Sequence, residues 1–325
     1  MTEYLKINLQ LFAEMNTNVT GDTGLSVENK TFYDMTLIDE AQAELVHDQF
    51  GQKRPIPKNG GKKIEFRKFA SLPKALTPLT EGVTPDGRKL SVTALEATVS
   101  QYGDYIVQSD ALELTAIDNT IVEATKILGR QAGLTLDTVT RNVLQAGSNV
   151  VYCPKSDGTA VTDTADLDST CKLTVATIKR VAAFLKKNNA PRIDGSYVAI
   201  IHPYAAHDLM ADPEWVDAHK YATPENIYEG EIGKIAGVRF VETSEALVED
   251  GVYYTLVMGA NAYGVTEITG GGLQTIIKQK GSAGTADPLD QRSSIGWKAM
   301  KTAKILIDPY LVRVASMSDF DIEDN

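Results

Sequence analysis

From Leu114 onward, apolar residues recur at steps of three and four through Ile117, Ile121, Ala124, Leu128, Ala132, Leu136, Val139, Val143 and Ala146, and no proline interrupts the chain between Pro85 and Pro154. That spacing is one face of an α-helix. Asp110 is a good N-cap with Glu113 three positions on, in the manner of a capping box, and Gly147 supplies a stop. The run predicts a single helix from Asp110 to Ala146. At about 37 residues and ~1.5 Å each it is a rod of roughly 55 Å, longer than a compact domain is wide. A single apolar stripe on such a rod must be covered along its whole length. Three successive steps of four break a strict heptad, and no second helix of similar length is predicted, so a sheet laid along the rod is expected instead of a coiled coil or a bundle. Gly129 and Gly133, one turn apart, mark either a bend in this spine or a place where another backbone comes close; if they have neither role, they cost about 1 kcal/mol each. The bend is the reading taken forward.

The chain before the helix divides by charge. Residues 1–50 carry two bases against nine acids, with a helix predicted over Leu37 to Phe50, and this stretch reads as an arm. Residues 51–90 carry ten bases against three acids. Here Lys62–Lys68 alternates charged and apolar residues, as does a second run from Leu95 to Val107, and each predicts a strand with one wet face. Pro73, Pro78 and the turn signal Pro85-Asp86-Gly87 lie between them, too proline-rich for a helix and too long for a tight turn, so the pair reads as a long two-stranded loop projecting from the body. Its bases Lys62, Lys63, Arg67, Lys68 and Lys74 are the candidate contacts to an acidic arm or tail of a second subunit, by opposite charge.

After the helix, a polar loop from Ser148 to Thr170 leads into a basic amphipathic helix at Thr174–Lys187. Then follow a strand at Tyr197–Ile201, a short helix opened by His202-Pro203 through Met210, and strands at Val238–Glu242, Val252–Met258 and Leu273–Lys278. This is an α+β unit. Lys280–Asp287 reads as a linker, and the chain closes with two strands, Ser294–Ile307 and Tyr310–Ala315, joined by a turn at Asp308-Pro309. That hairpin is the sheet expected to cover the long helix.

The residues offer little chemistry. Gly61-Lys62 lacks the remainder of a phosphate-binding loop, and no dinucleotide fingerprint or nucleophile elbow occurs. His202, His207 and His219 with Asp208 lack any recognised metal spacing, and Asp157, Asp163, Asp166 and Asp168 lack the alternation of a calcium loop. No catalytic residue, cofactor or metal is expected. Cys153 and Cys171 are expected as free thiols, since nothing in the sequence indicates an oxidising compartment or a disulfide framework. No stretch has the apolar length of a membrane span. A net charge of -11 argues against gripping nucleic-acid phosphates.

The order of arm, projecting loop, long helix, α+β unit and closing strands resembles the Hong Kong 97-like fold of tailed-phage major capsid proteins. Lys6–Ala13 resembles the start of many such chains, and Tyr197–Pro203 with Asp208-Leu209, Gly230–Arg239, Asp287-Pro288-Leu289 and Gly296-Trp297-Lys298 resemble segments of the N4-type family. The resemblance implies a virion subunit that forms pentamers and hexamers and encloses double-stranded DNA without reading its sequence. It further implies assembly in the bacterial cytoplasm with copies of itself, a portal, and scaffold or decoration proteins. It also implies a division into an N-terminal arm (1–55), an extended loop (56–108), a peripheral domain with the spine helix (109–150 and 290–325) and an axial domain (151–289). An encapsulin-like cellular compartment of the same fold is the alternative.

Overall fold

The computed structural model describes residues 37, 40, 41, 45–57, 61–69, 72–79, 81–84, 86–115, 120–219, 233–267, 272–282, 287–318 and 320. In chain order the elements are β1 (Gln52–Lys53), β2 (Lys63–Phe69), β3 (Val92–Thr98), β4 (Ser100–Ser109), α1 (Asp110–Thr115), α2 (Thr120–Gln145), β5 (Val150–Tyr152), α3 (Val175–Lys187), β6 (Tyr197–Ile201), α4 (Pro203–Ala211), α5 (Pro213–His219), β7 (Lys234–Ile235), β8 (Val238–Glu242), β9 (Val248–Glu249), β10 (Val252–Met258), β11 (Tyr263–Glu267), β12 (Gln274–Lys278), β13 (Arg292–Ile305) and β14 (Leu311–Ser316).

The predicted long helix is present as α1 and α2, with 116–119 outside the described residues. Its start is capped by Ser109, whose Oγ accepts the Leu112 N–H at 3.3 Å, while Asp110 Oδ1 takes the Ala111 N–H. The cap is therefore one residue earlier than the sequence indicated. Between Leu37 and Phe50 only Leu37, Glu40 and Ala41 are described as helical, and His47–Phe50 form a turn, so the helix expected there does not reach its predicted end.

A sheet does cover α2. Ala124, Leu128, Ala132 and Leu136 pack on Ile295, Trp297 and Ala299 of β13. β13 is long enough to serve both edges: β4 runs antiparallel along one, and β12 then β11 along the other, with β1 outermost. Trp297 Nε1 donates to Gln131 Oε1 at 3.2 Å, and Gln131 Nε2 donates to Asp104 Oδ2 at 2.7 Å, linking helix, central strand and edge strand. Truncating Leu128 in this contact costs about 2–5 kcal/mol, the usual range for a buried leucine.

The cover is not the predicted hairpin. Ser294–Ala315 is shared between two sheets: β14 pairs antiparallel with β10 and parallel with β5 in a seven-stranded sheet of order β5-β14-β10-β6-β8-β7, with β9 on β10. The reason lies in the burial patterns. β13 keeps a wet face at intervals, whereas β14 is buried along nearly its whole length and needs a layer on each side. α3 supplies one layer, through Val175, Ile178, Val181 and Leu185. On the other side lies a cluster that includes Leu144, Val198, Ile200, Leu256 and Met258. The run Leu95–Val107, expected as one strand, is likewise divided at Val99 between β3 and β4.

Three crossings between the two sheets lie side by side. Ala262 O accepts from Leu306 N and Ile307 N, and Gly259 N donates to Tyr310 O. The Asp308 carboxylate accepts from Ser148 N at 3.1 Å, from Ser148 Oγ, and from Asn149 Nδ2 at 3.0 Å.

Candidate functional site

β2 and β3 form the predicted ribbon, in register from Lys63↔Thr98 to Phe69↔Val92. Its root is set into the body: Phe66 is buried, and a Cβ on Gly264 of β11 would lie 2.7 Å from its ring, so only glycine admits it. Arg54 lies over the same ring at 5.9 Å. Beyond the root no described residue is covered. The described residues from 72 to 91 lie outside helices and strands and are exposed, with Leu76 at 81% and Leu79 at 77%. Leu72, Val83 and Leu90 are exposed in the same stretch, so the open apolar side chains are grouped and not scattered.

The five candidate contact residues separate into two sets. Glu65 and Glu96 face each other across the ribbon, a repulsive pairing offset by Arg67 Nε at 3.1 Å from Glu65 and Lys63 Nζ at 3.3 Å from Glu96. Lys63 and Arg67 are thus already engaged within the chain. Lys62, Lys68 and Lys74 are exposed without an ion pair among the described residues, and they carry the uncompensated positive charge.

Gly129 and Gly133 lie on a second buried column of α2, which sequence reading missed. Thr125, Gly129, Gly133, Asp137, Thr140 and Leu144 recur at steps of three and four, one residue out of phase with the apolar stripe, and all are buried. Small and polar residues hide such a column from a count of apolar positions. The spacing itself was the available signal. The arm crosses here: a Cβ on Gly129 would lie 2.8 Å from Leu37 O and 3.0 Å from Glu40 Cβ, so the close approach of another backbone is realised at Gly129.

Further along the column the arm is fastened by buried polar groups. His47 and Asp137 have fully buried side chains; His47 N donates to Asp137 Oδ1 at 2.7 Å and His47 Nδ1 lies 2.6 Å from Oδ2. Asp48 accepts from Thr140 Oγ1 at 2.6 Å and pairs with Lys301 Nζ of β13. The Tyr263 hydroxyl donates to His47 O, and burial holds that phenol well above its ordinary pKa. Arm, spine, β11 and β13 therefore meet at one desolvated polar knot.

The remaining histidines have local tasks. His202 Nδ1 accepts from Tyr204 N at 3.2 Å, capping α4, and burial lowers its pKa; the His207 ring packs edge-on against Phe320 at 4.4 Å. The His219 side chain lies outside the described residues. Among the described residues no group of three or more His, Cys, Asp and Glu is placed to hold a metal. Asp168 accepts from Thr170 and pairs with Lys155 at 2.9 Å, contacts that hold its carboxyl well below the usual range.

The sequence profile of a family described as phage capsid protein matches residues 29–266. No curated protein matches. Among solved structures, the capsid of the cyanophage P-SCSP1u is similar at 15% identity and TM-score 0.64, over 83% of this chain and 87% of that one. The Ralstonia phage GP4 capsid is similar at 14% identity and TM-score 0.62, over 85% and 89%. The cyanophage Pam1 capsid subunit is similar at 12% identity and TM-score 0.64, over 86% and 93%. Identities this low establish a shared fold.

Proposed function

The chain belongs to the phage capsid protein family and has a Hong Kong 97-like fold, and from that premise we propose that it is the major subunit of a tailed-phage head, closing as pentamers and hexamers around double-stranded DNA. The observation that carries the reading is the family match over most of the chain. The ribbon supports it: a rigidly rooted arm of strand with apolar residues exposed beyond it is incomplete in one chain and suited to a neighbouring copy. In this reading the subunit is a non-catalytic virion component, assembled in the host cytoplasm with a portal and with scaffold or decoration proteins. The net charge of -11 keeps the wall from trapping its cargo.

The four-part division into arm, extended loop, peripheral and axial domains is carried forward with one refinement: β11 and β12, inside 151–289, build the sheet under the spine, and β14, inside 290–325, builds the other sheet. Membership of the N4-type family is proposed on the segments Tyr197–Pro203, Gly230–Arg239, Asp287–Leu289 and Gly296–Lys298. A cellular compartment of the same fold is less favoured because the matching family is of phage capsid proteins.

The test is expression of the full chain followed by negative-stain imaging. Closed shells or capsomers are expected, and a dispersed monomer at high concentration would remove the proposal. Shells that copurify with a protein cargo in place of DNA favour the compartment. Reversing Lys62, Lys63, Arg67 and Lys68 together to glutamate is expected to abolish shells. Wild-type particles from that variant would remove the ribbon charges from the contact.

A further inference from the structure

The polar loop between Cys153 and Cys171 is cinched at its base. Lys155 Nζ lies 2.9 Å from Asp168 Oδ2, and Ser156 N donates to Thr170 Oγ1 at 3.3 Å. Contacts at 155–168 and 156–170 draw the flanking positions 153 and 171 together. The neighbouring strand says the same. Tyr152 stands opposite Ala315 in a parallel ladder, and Lys172 stands opposite Met317 in a parallel bridge. The position opposite Ser316, where one residue of a continuous strand would supply both an N–H and a carbonyl, is instead divided: Cys153 N donates to Ala315 O at 3.0 Å, and Cys171 O accepts from Met317 N at 2.9 Å. Two residues that share the bonds of one are held about a residue's width apart, within the ~4.4–6.8 Å between Cα atoms that a disulfide bridges. Opposing residues of a ladder project to the same face. Both side chains are in fact buried in the same core cluster, under α3.

We propose that Cys153 and Cys171 form a latent disulfide: two thiols when the subunit folds, joined to each other when it meets a low-molecular-weight disulfide. The step is two exchanges. One cysteine thiolate attacks a sulfur of the small disulfide and expels a small thiolate, leaving a mixed disulfide. The second cysteine thiolate then attacks the protein sulfur of that mixed disulfide, forming the Sγ–Sγ bond and expelling the second small thiolate. Two protein thiols are oxidised, one small disulfide is reduced to two small thiols, and the two protons pass to the leaving thiolates. Burial pushes the Cys153 thiol up to about 12 and also raises Cys171, so the attacking thiolate is scarce near neutrality. Both thiols are also fully buried, so the exchange waits on local opening of the loop between them; it is slow and accelerates as pH rises. Its biological setting rests on the capsid reading, because a released head leaves a reducing cytoplasm for an oxidising exterior. The bond itself does not depend on that reading.

Purified full-length protein is incubated with oxidised glutathione at about pH 8.5, near the ordinary thiol pKa, then denatured, alkylated, digested and read by mass spectrometry. A peptide pair joining 153 to 171 within one chain is expected, lost on reduction and absent from Cys171→Ser. The oxidised wild type should also melt a few degrees above its reduced form, a shift that Cys153→Ala/Cys171→Ala does not show. Both cysteines remaining alkylatable, each carrying its own glutathione, or linkage running between chains would each overturn the proposal. Normal shells without the 153–171 link defeat this inference and leave the capsid reading standing. The link in a protein that forms no shells does the reverse.

Discussion

Two regions of the molecule are built from ion pairs, and they behave oppositely. The knot at His47, Asp48, Asp137 and Lys301 lies within one chain, fully buried at His47 and Asp137 and nearly so at Asp48 and Lys301, with most of its donors and acceptors matched by the arm, the spine and two strands. The ribbon pairs, Lys63 with Glu96 and Arg67 with Glu65, stand in water on a ladder whose outer end carries uncovered leucines. The same kind of contact has unequal consequences in the two places. In the knot, removing one member strands a desolvated charge; on the ribbon, water replaces the missing partner. The first region is finished when the chain folds. The second, in the capsid reading, is finished by a neighbouring copy.

The contrast can be broken at its strong end first. Asp137→Ala leaves the His47 donors buried and unmatched and is expected to lose about 3–5 kcal/mol in denaturant unfolding; a loss below ~1 kcal/mol would mean that water enters the knot. Gly129→Val drives side-chain atoms into the Leu37 backbone and should cost about 1–3 kcal/mol, with earlier proteolysis of the arm. The same variant tests the proposed bend at Gly129: intact arm packing with altered shell maturation would support it. A smaller effect belongs to His202, whose pKa is depressed by burial in the folded chain. The unfolded state then takes up the proton first, so stability is full above about pH 6.5 and declines as pH falls through the lowered value. His202→Asn, which caps without titrating, should flatten that decline in thermal melts taken across the acid range. Smaller still, Lys63→Ala should change unfolding by about 0–1 kcal/mol and less at high salt. Leu76→Asp/Leu79→Asp should leave monomer stability within about 0.5 kcal/mol while shells are lost. If the monomer itself melts early, the ribbon leucines pack within the chain and the comparison fails.

The spine was legible because a period near 3.6 survives any tertiary context, and the need to cover its stripe made a sheet the economical partner. Strand partners were not legible. β13 and β14 are adjacent in sequence, yet one turn at Asp308–Tyr310 sends them to different sheets, and the partners each one meets there come from far away in the chain. β11 escaped notice because Tyr263–Glu267 is only five residues long with a glycine inside, and that glycine is the seat of Phe66. The knot escaped for a different reason. Its members come from four separate stretches of chain, and His47, Asp48, Asp137 and Lys301 each look like ordinary surface residues until the arm folds over the second column of the spine.

The three chain crossings laced together at Ala262, Asp308 and Ser148 govern how the two sheets can move. A single tether would act as a ball joint, leaving swivel, tilt and twist all soft. Three bound edge to edge constrain one another, and the buried cluster that joins Val198, Ile200, Leu256 and Met258 of one sheet to Tyr263 and Val265 of the other closes the seam from within, so the two sheets meet at a weld and not at a joint.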